Sequence, residues 1–232
     1  MSNSKIVRNW KYYAAGASIG ELCITEGQFM TGNVAGILIT AEKPFFRFES
    51  ICNAKTFRFP VRYKIIDLQD SYGPEQQIEK AIHELEHEGC RFIVTSGGEL
   101  GIYAEFIKDR ASVLTMASPL QCLHFMSISV SSQKKFAIVT SQPKEIIYSQ
   151  LDSFGVTTSL IDRCEIIPYR DIYSKDPSSL DFIDSRFGGI IWDSINSDFI
   201  IRQTFSIPVY SMVTITRFLK NVCTHKPYNG LI

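Results

Sequence analysis

Pro74-Glu-Gln-Gln-Ile-Glu-Lys-Ala-Ile-His-Glu-Leu-Glu-His-Glu88, closed by Gly89 and followed by Phe92-Ile-Val-Thr95, decides the fold. Ile78, Ala81, Ile82 and Leu85 recur at helical spacing, Pro74 suits a first helical turn, and Gly89 suits a C-terminal stop. The short apolar run after it is too brief for a helix and reads as a buried strand. Working outward, Val34-Ala-Gly-Ile-Leu-Ile-Thr40 and Phe59-Pro-Val-Arg-Tyr-Lys-Ile-Ile66 read as two further strands upstream.

The second half repeats this grammar. Phe136-Ala-Ile-Val-Thr140 is an expected strand, Pro143 to Phe154 an expected helix closed by Gly155, and Val156 to Ile161 an expected strand. A short helix is expected around Ser178 to Ser185, then the strand Gly189-Ile-Ile-Trp192. Ser118 to Ser129 reads as a helix with Leu120, Leu123 and Met126 inward. Alternating strands and helices at this spacing imply parallel α/β units. The fold class is therefore α/β, with two pseudo-symmetric lobes, each a parallel sheet flanked by helices.

The expected organisation is an N-terminal extension over residues 1–32, a first lobe over 33–130 plus 205–232, and a second lobe over 131–204. The closing segment, Ile207-Pro-Val-Tyr210 and a helix from Met212 to Asn221, is expected to return to the first lobe. In open parallel sheets ligands bind beyond the carboxyl ends of the strands. The loops after Thr40, Thr95, Thr140 and Trp192 are accordingly the candidate site.

Composition narrows the partner. Lys plus Arg and Asp plus Glu are 24 each in 232 residues, so no net field draws the chain to nucleic acid or to an anionic membrane. No run reaches the roughly 18 apolar residues of a membrane span, and Met1 to Lys11 is polar and basic, so the expectation is a soluble, cytoplasmic chain. A small ligand is the expected partner, with no nucleic acid, no membrane, and a homo-oligomer left open. The six cysteines (Cys23, Cys52, Cys90, Cys122, Cys164, Cys223) show neither a CxxC pair nor metal-ligand spacing.

Three tempting strings are set aside. His83-Glu-Leu-Glu-His87 matches a zinc-protease pattern, but the apolar face of its helix puts both histidines on the solvent side. Gly97-Gly98 lacks the third spaced glycine and the Lys-Ser or Lys-Thr of a phosphate loop. Phe45-Phe46-Arg47-Phe48 and Phe57-Arg58-Phe59 interleave aromatics with arginine without a wider basic field. No metal and no cofactor is expected.

The combination Thr95-Ser96-Gly97-Gly98-Glu99-Leu100, Phe59-Pro-Val-Arg-Tyr63, Ile138-Val-Thr140 and Ile207-Pro-Val-Tyr210 resembles the aspartate/glutamate/hydantoin racemase superfamily, over about Asn33 to Val222. The resemblance implies two flavodoxin-like lobes with a small carboxylate in the cleft between them. It also implies two cysteines, one from each lobe, flanking the substrate's α-carbon. Carried over, those cysteines fall on Gly97 and Asp193. The hydroxyls that would grip a carboxylate fall on Ser96, Thr140, Ser141 and Ser194, with Thr40 from the first strand and the Thr95 to Gly98 turn beside them. Arg47 to Asn53 departs from the closest branch, carrying Glu49, Ser50 and Cys52 where a glycine- and aspartate-containing loop is usual.

Glycine exchanges no proton, so symmetrical two-base racemisation through these positions is excluded. Asp193 replaces a thiol by a far weaker base: reference pKa values of about 3.9 and 8.5 correspond to roughly 6 kcal/mol of proton affinity. Burial near Trp192 recovers part of that difference. Asp193 and Glu99 are then the candidate acids, and Cys52 and Cys164 the thiols placed to approach the cleft. Two readings stand: a cofactor-independent enzyme of altered isomerase or decarboxylase type, or an inactive racemase-fold protein that binds a small carboxylic or amino acid as a sensor or regulatory module. Asp193 at a strand end also has the plainer role of capping a following turn.

Overall fold

The computed structural model describes residues 21–24, 34–41, 49–69, 73–173, 185–194 and 198–223. The first half contains β1 (Glu21–Ile24), β2 (Ala35–Thr40), β3 (Val61–Ile66), α1 (Pro74–His87), β4 (Phe92–Thr95), α2 (Ala104–Arg110), β5 (Leu114–Met116) and α3 (Leu123–Ser129). The second contains β6 (Lys135–Thr140), α4 (Lys144–Ser153), α5 (Thr158–Ile161), β7 (Cys164–Pro168), α6 (Tyr169–Tyr173), β8 (Phe187–Asp193), α7 (Phe199–Thr204), β9 (Val209–Ser211) and α8 (Met212–Cys223).

These strands form two sheets, one per lobe, ordered β1-β3-β2-β4-β5 and β7-β6-β8-β9. Every pairing is parallel except that of β1 with β3. The two-lobed α/β class read from the sequence is the class observed. Both faces of each sheet are covered, which is why the central strands carry runs of successive apolar residues rather than alternate ones. In β2, Ile37 and Ile39 enter one core cluster while Leu38 enters the cluster under α1 with Ile78, Ile82 and Leu85. In β6, Phe136 and Ile138 face one cluster, and Ala137 and Val139 the other.

Helix α1 buries Ile78, Ala81, Ile82 and Leu85, and His83 and His87 are exposed on its far side. Leu120, Leu123 and Met126 are buried as expected, although the segment is a 3-10 turn (Pro119–Cys122) followed by α3 rather than one helix.

Three expectations meet a different structure. The strand expected over Val156 to Ile161 is instead the helical turn α5, because Val156 and Leu160, four residues apart, bury together in one cluster while Thr157 and Thr158 stay exposed. Cys164 therefore opens β7 rather than following a strand, which places it at the amino end of the sheet. Strand β9 pairs with β8 and joins the second sheet, while α8 packs Met212, Val213, Ile215 and Leu219 into the core of the first. The closing segment crosses between lobes instead of belonging to one. The short helix expected around Ser178 to Ser185 lies almost wholly outside the described residues, as do Phe45 to Phe48.

Candidate functional site

Strands β4 and β8 end facing each other across the lobes. Beyond Thr95 the chain makes a tight turn: Thr95 Oγ1 donates to the Ala117 carbonyl at 2.5 Å and accepts from the Gly97 N–H at 2.9 Å. The Ser96 N–H continues the ladder to the Leu38 carbonyl at 2.8 Å. Gly97 then adopts φ +75° and ψ −159°, a region in which side chains are strained. A β-carbon there would stand 3.2 Å from Met212 Cγ and 3.3 Å from Asp193 Oδ1. The two positions to which the resemblance assigned thiols are thus in contact.

The contact is a hydrogen bond as well as an approach. The Gly98 N–H of the first lobe donates to Asp193 Oδ1 of the second at 2.9 Å. Thr140, the neighbour of Asp193 in the β6–β8 register, donates through Oγ1 to Asp193 Oδ2 at 3.4 Å. Asp193 is 1% exposed. Burial pushes its carboxyl up to about 6 from an ordinary 3.8, against the opposing pull of the Gly98 and Thr140 hydrogen bonds. A carboxyl in this range exchanges its proton near neutrality, which an ordinary aspartate does not.

Two glutamines that sequence reasoning passed over surround the same turn. The Gln142 N–H donates to Thr140 Oγ1 at 3.0 Å. From α4, Gln150 Nε2 donates to Gln142 Oε1 at 3.2 Å and lies 3.5 Å from the Gly98 carbonyl. Gln150 is buried at a position that the helix pattern alone would score as polar surface. Ser96 Oγ and Gln142 Nε2 are buried without a hydrogen-bond partner among the described residues.

The other expected site residues divide. Thr95, Ser96 and Thr140 are buried at the strand ends, and Thr40 and Ser194 are half-buried. Ser141 and Glu99 are exposed, because the 3-10 turn Gly98–Tyr103 carries Glu99 outward. Neither candidate thiol supplies a second acid. Cys52 lies in the first-lobe core with its thiol pushed by burial up to about 12, and Cys164, at the amino end of its strand, is pushed equally far.

A second interlobe link lies beside this one. Glu49, held at φ +57°, pairs with Arg202 of α7, and its other oxygen lies 3.6 Å from Arg217 of α8. Arg202 Nε also meets the buried Asp198 at 3.0 Å, and Asp198 Oδ2 accepts from Ser211 Oγ at 2.5 Å. Glu49, noted in the sequence only as a departure, is thus the first-lobe anchor of an ionic bridge.

Among the described residues, no group of three or more His, Cys, Asp or Glu could hold a metal ion, and no helix is long and apolar enough to cross a membrane. A cavity of about 670 Å³ bordered by Cys90, Arg91, Ser112 and Cys223 opens at the amino ends of β4 and β5, away from Asp193.

No protein-family model matches the chain. No curated protein matches it either. Solved structures do. Unliganded arylmalonate decarboxylase aligns over 84% of this chain and 94% of its own, with TM-score 0.51 and 8% identity. An aspartate racemase homologue from Pyrococcus horikoshii aligns over 82% and 99%, with TM-score 0.51 and 14% identity. Allantoin racemase from Klebsiella pneumoniae aligns over 85% and 92%, with TM-score 0.51 and 13% identity. The chain has the two-lobed α/β fold that these structures share.

Proposed function

We propose that this protein binds a small carboxylic acid between its lobes and that Asp193 is its single acid–base group. The chemistry is racemase-like in setting but of cofactor-independent decarboxylase or isomerase type, with no second base at Gly97. The observation that carries the reading is the buried Asp193 carboxyl, raised to about 6 and facing a backbone donor of the opposite lobe. On a malonate-type acid, the bond to the departing carboxylate breaks and CO2 leaves. The electron pair stays on the α-carbon, Asp193 delivers its proton to that carbon, and water restores the proton. An apolar wall favours loss of CO2, and Met212 and Pro119 already border the turn.

The competing reading, a carboxylate-binding module without turnover, is favoured by one specific contact: the Gly98 N–H is already engaged by Asp193. Phenylmalonate, malonate, aspartate and maleate, each added to the protein, separate the two. Stabilisation against heat together with CO2 release or solvent-deuterium incorporation supports the enzyme. Stabilisation with neither supports the module, and no stabilisation by any acid rejects both.

A further inference from the structure

We propose that Gln150 is a positioning residue for Asp193: from α4 it grips the two loops, one in each lobe, whose donors face the Asp193 carboxyl. The inference rests on the reading of Asp193 as the acid–base group and adds to it the residue that holds its surroundings in place.

Gln150 sits where a helix ordinarily carries an apolar side chain. It is 1% exposed, on the face of α4 that also buries Ile147 and Leu151. A buried amide is costly unless its polar atoms are used. On the first-lobe side its Nε2 lies 3.5 Å from the Gly98 carbonyl, which can only accept, so that end of the amide is the NH2 group. A β-carbon on Gly101, in the same 3-10 turn, would run into Gln150 Oε1 and stand 3.0 Å from its Cδ, so the amide rests against bare backbone. On the second-lobe side the same NH2 group donates to Gln142 Oε1 at 3.2 Å.

Each gripped loop presents one donor to Asp193. The Gly98 N–H donates to Oδ1 at 2.9 Å. The Gln142 N–H donates to Thr140 Oγ1 at 3.0 Å, and that hydroxyl donates to Oδ2 at 3.4 Å. Gln150 itself bonds to the loops and not to Asp193. Because one donor belongs to each lobe, a side chain tied to both loops fixes the spacing between the donors. Ile147 and Leu151, packed within the second-lobe core, do not. Burial raises the proton affinity of Asp193 and the two donors lower it, with no charged side chain of the described residues among the causes. Loosening the donors therefore raises that affinity further.

The test is carboxyl carbon-13 NMR of the full-length, aspartate-labelled protein, titrated from pH 4 to 9 without ligand, with the Asp193 signal identified by its loss in Asp193→Asn. Gln150→Met, which keeps the length of the side chain but removes the amide, is expected to move the Asp193 midpoint upward by about half to one pH unit, a part of what a hydrogen bond to a charged group supplies. Gly101→Ala displaces the amide from the other lobe and is expected to move the midpoint the same way, with the double variant shifting by less than the sum. Ile147→Val opens a small cavity under the same helix without breaking these contacts and is expected to leave the midpoint in place. An unmoved midpoint in both Gln150→Met and Gly101→Ala, or an equal shift in Ile147→Val, would overturn the assignment. Loss of the fold in both of the first two variants would make the contact structural and overturn it too. Failure of the protein to bind or turn over any of the four acids named above would remove the parent reading without touching this titration, and an unmoved midpoint in a protein that turns one over would remove the positioning role alone.

Discussion

Asp193 Oδ1 lies 3.3 Å from the point where a β-carbon on Gly97 would stand, so the carboxylate of one lobe closes on the bare backbone of the other. Gly97→Ala meets two penalties at once, a backbone region nearly confined to glycine and contacts at 3.2 and 3.3 Å. The expected loss is about 2–3 kcal/mol in urea unfolding. Gly98→Ala, at φ +61° with Gln142 Nε2 at an ordinary 3.6 Å, is expected to lose only about 1–2 kcal/mol. The reverse order would contradict the packing described.

Asp193 makes stability depend on pH in a defined direction. Its folded pKa of about 6 lies above the ordinary 3.8, so between these values the folded state holds more protons than the unfolded one. Its contribution is most favourable below about 4 and is lost as pH rises through about 6. The difference of about two units corresponds to about 3 kcal/mol. Asp193→Asn is therefore expected to be more stable than the unaltered chain at pH 7.5, with the advantage fading by pH 4. A gain that grows toward acid would reverse the sign.

Glu49, Arg202 and Asp198 join the lobes through charge. Removing the shared cation by Arg202→Ala takes the ionic partner from the buried Asp198 and leaves Glu49 with Arg217 alone. The expected cost is about 3 kcal/mol, measured by urea unfolding at neutral pH. Glu49→Gln leaves Arg202 with Asp198 and is expected to cost less. Equal losses would mean that the bridge carries no such asymmetry.

The thiols of Cys52, Cys90, Cys122 and Cys164 are pushed by burial up to about 12. Thiolate is the reactive form, so at pH 8 these four are expected to resist iodoacetamide until the protein is unfolded. Cys52→Ala is expected to leave any proton exchange on a bound acid unchanged. Rapid labelling of Cys52 in the folded chain would place a second acid back in contention.

How legible the site was depended on which physical signal each residue carries. Helix α1 and the central strands announce themselves because a buried face imposes a period, and Gly97 and Asp193 stand out only through the two cysteine positions that the family resemblance implies. Gln142 and Gln150 follow no such period: their roles arise from where Gly98 places a carbonyl, which spacing does not encode. Glu99 drew attention by lying two residues from Gly97, yet the intervening turn rotates it into solvent. Cys164 was misplaced because Val-Thr-Thr-Ser-Leu-Ile is β-prone in isolation, while burial of Val156 with Leu160 favours a helical turn. Strand β9 is three residues long, too short for its composition to say which sheet it joins.

The most direct test of the central claim is proton NMR in D2O of phenylmalonate, malonate, aspartate and maleate with the protein between pH 5 and 8, comparing the unaltered chain with Asp193→Asn. The account predicts CO2 release with deuterium delivered to the α-carbon of at least one acid, falling as pH rises through about 6 and the Asp193 proton is lost, and abolished in Asp193→Asn. Binding without exchange or CO2 release, or turnover that survives Asp193→Asn, would contradict it.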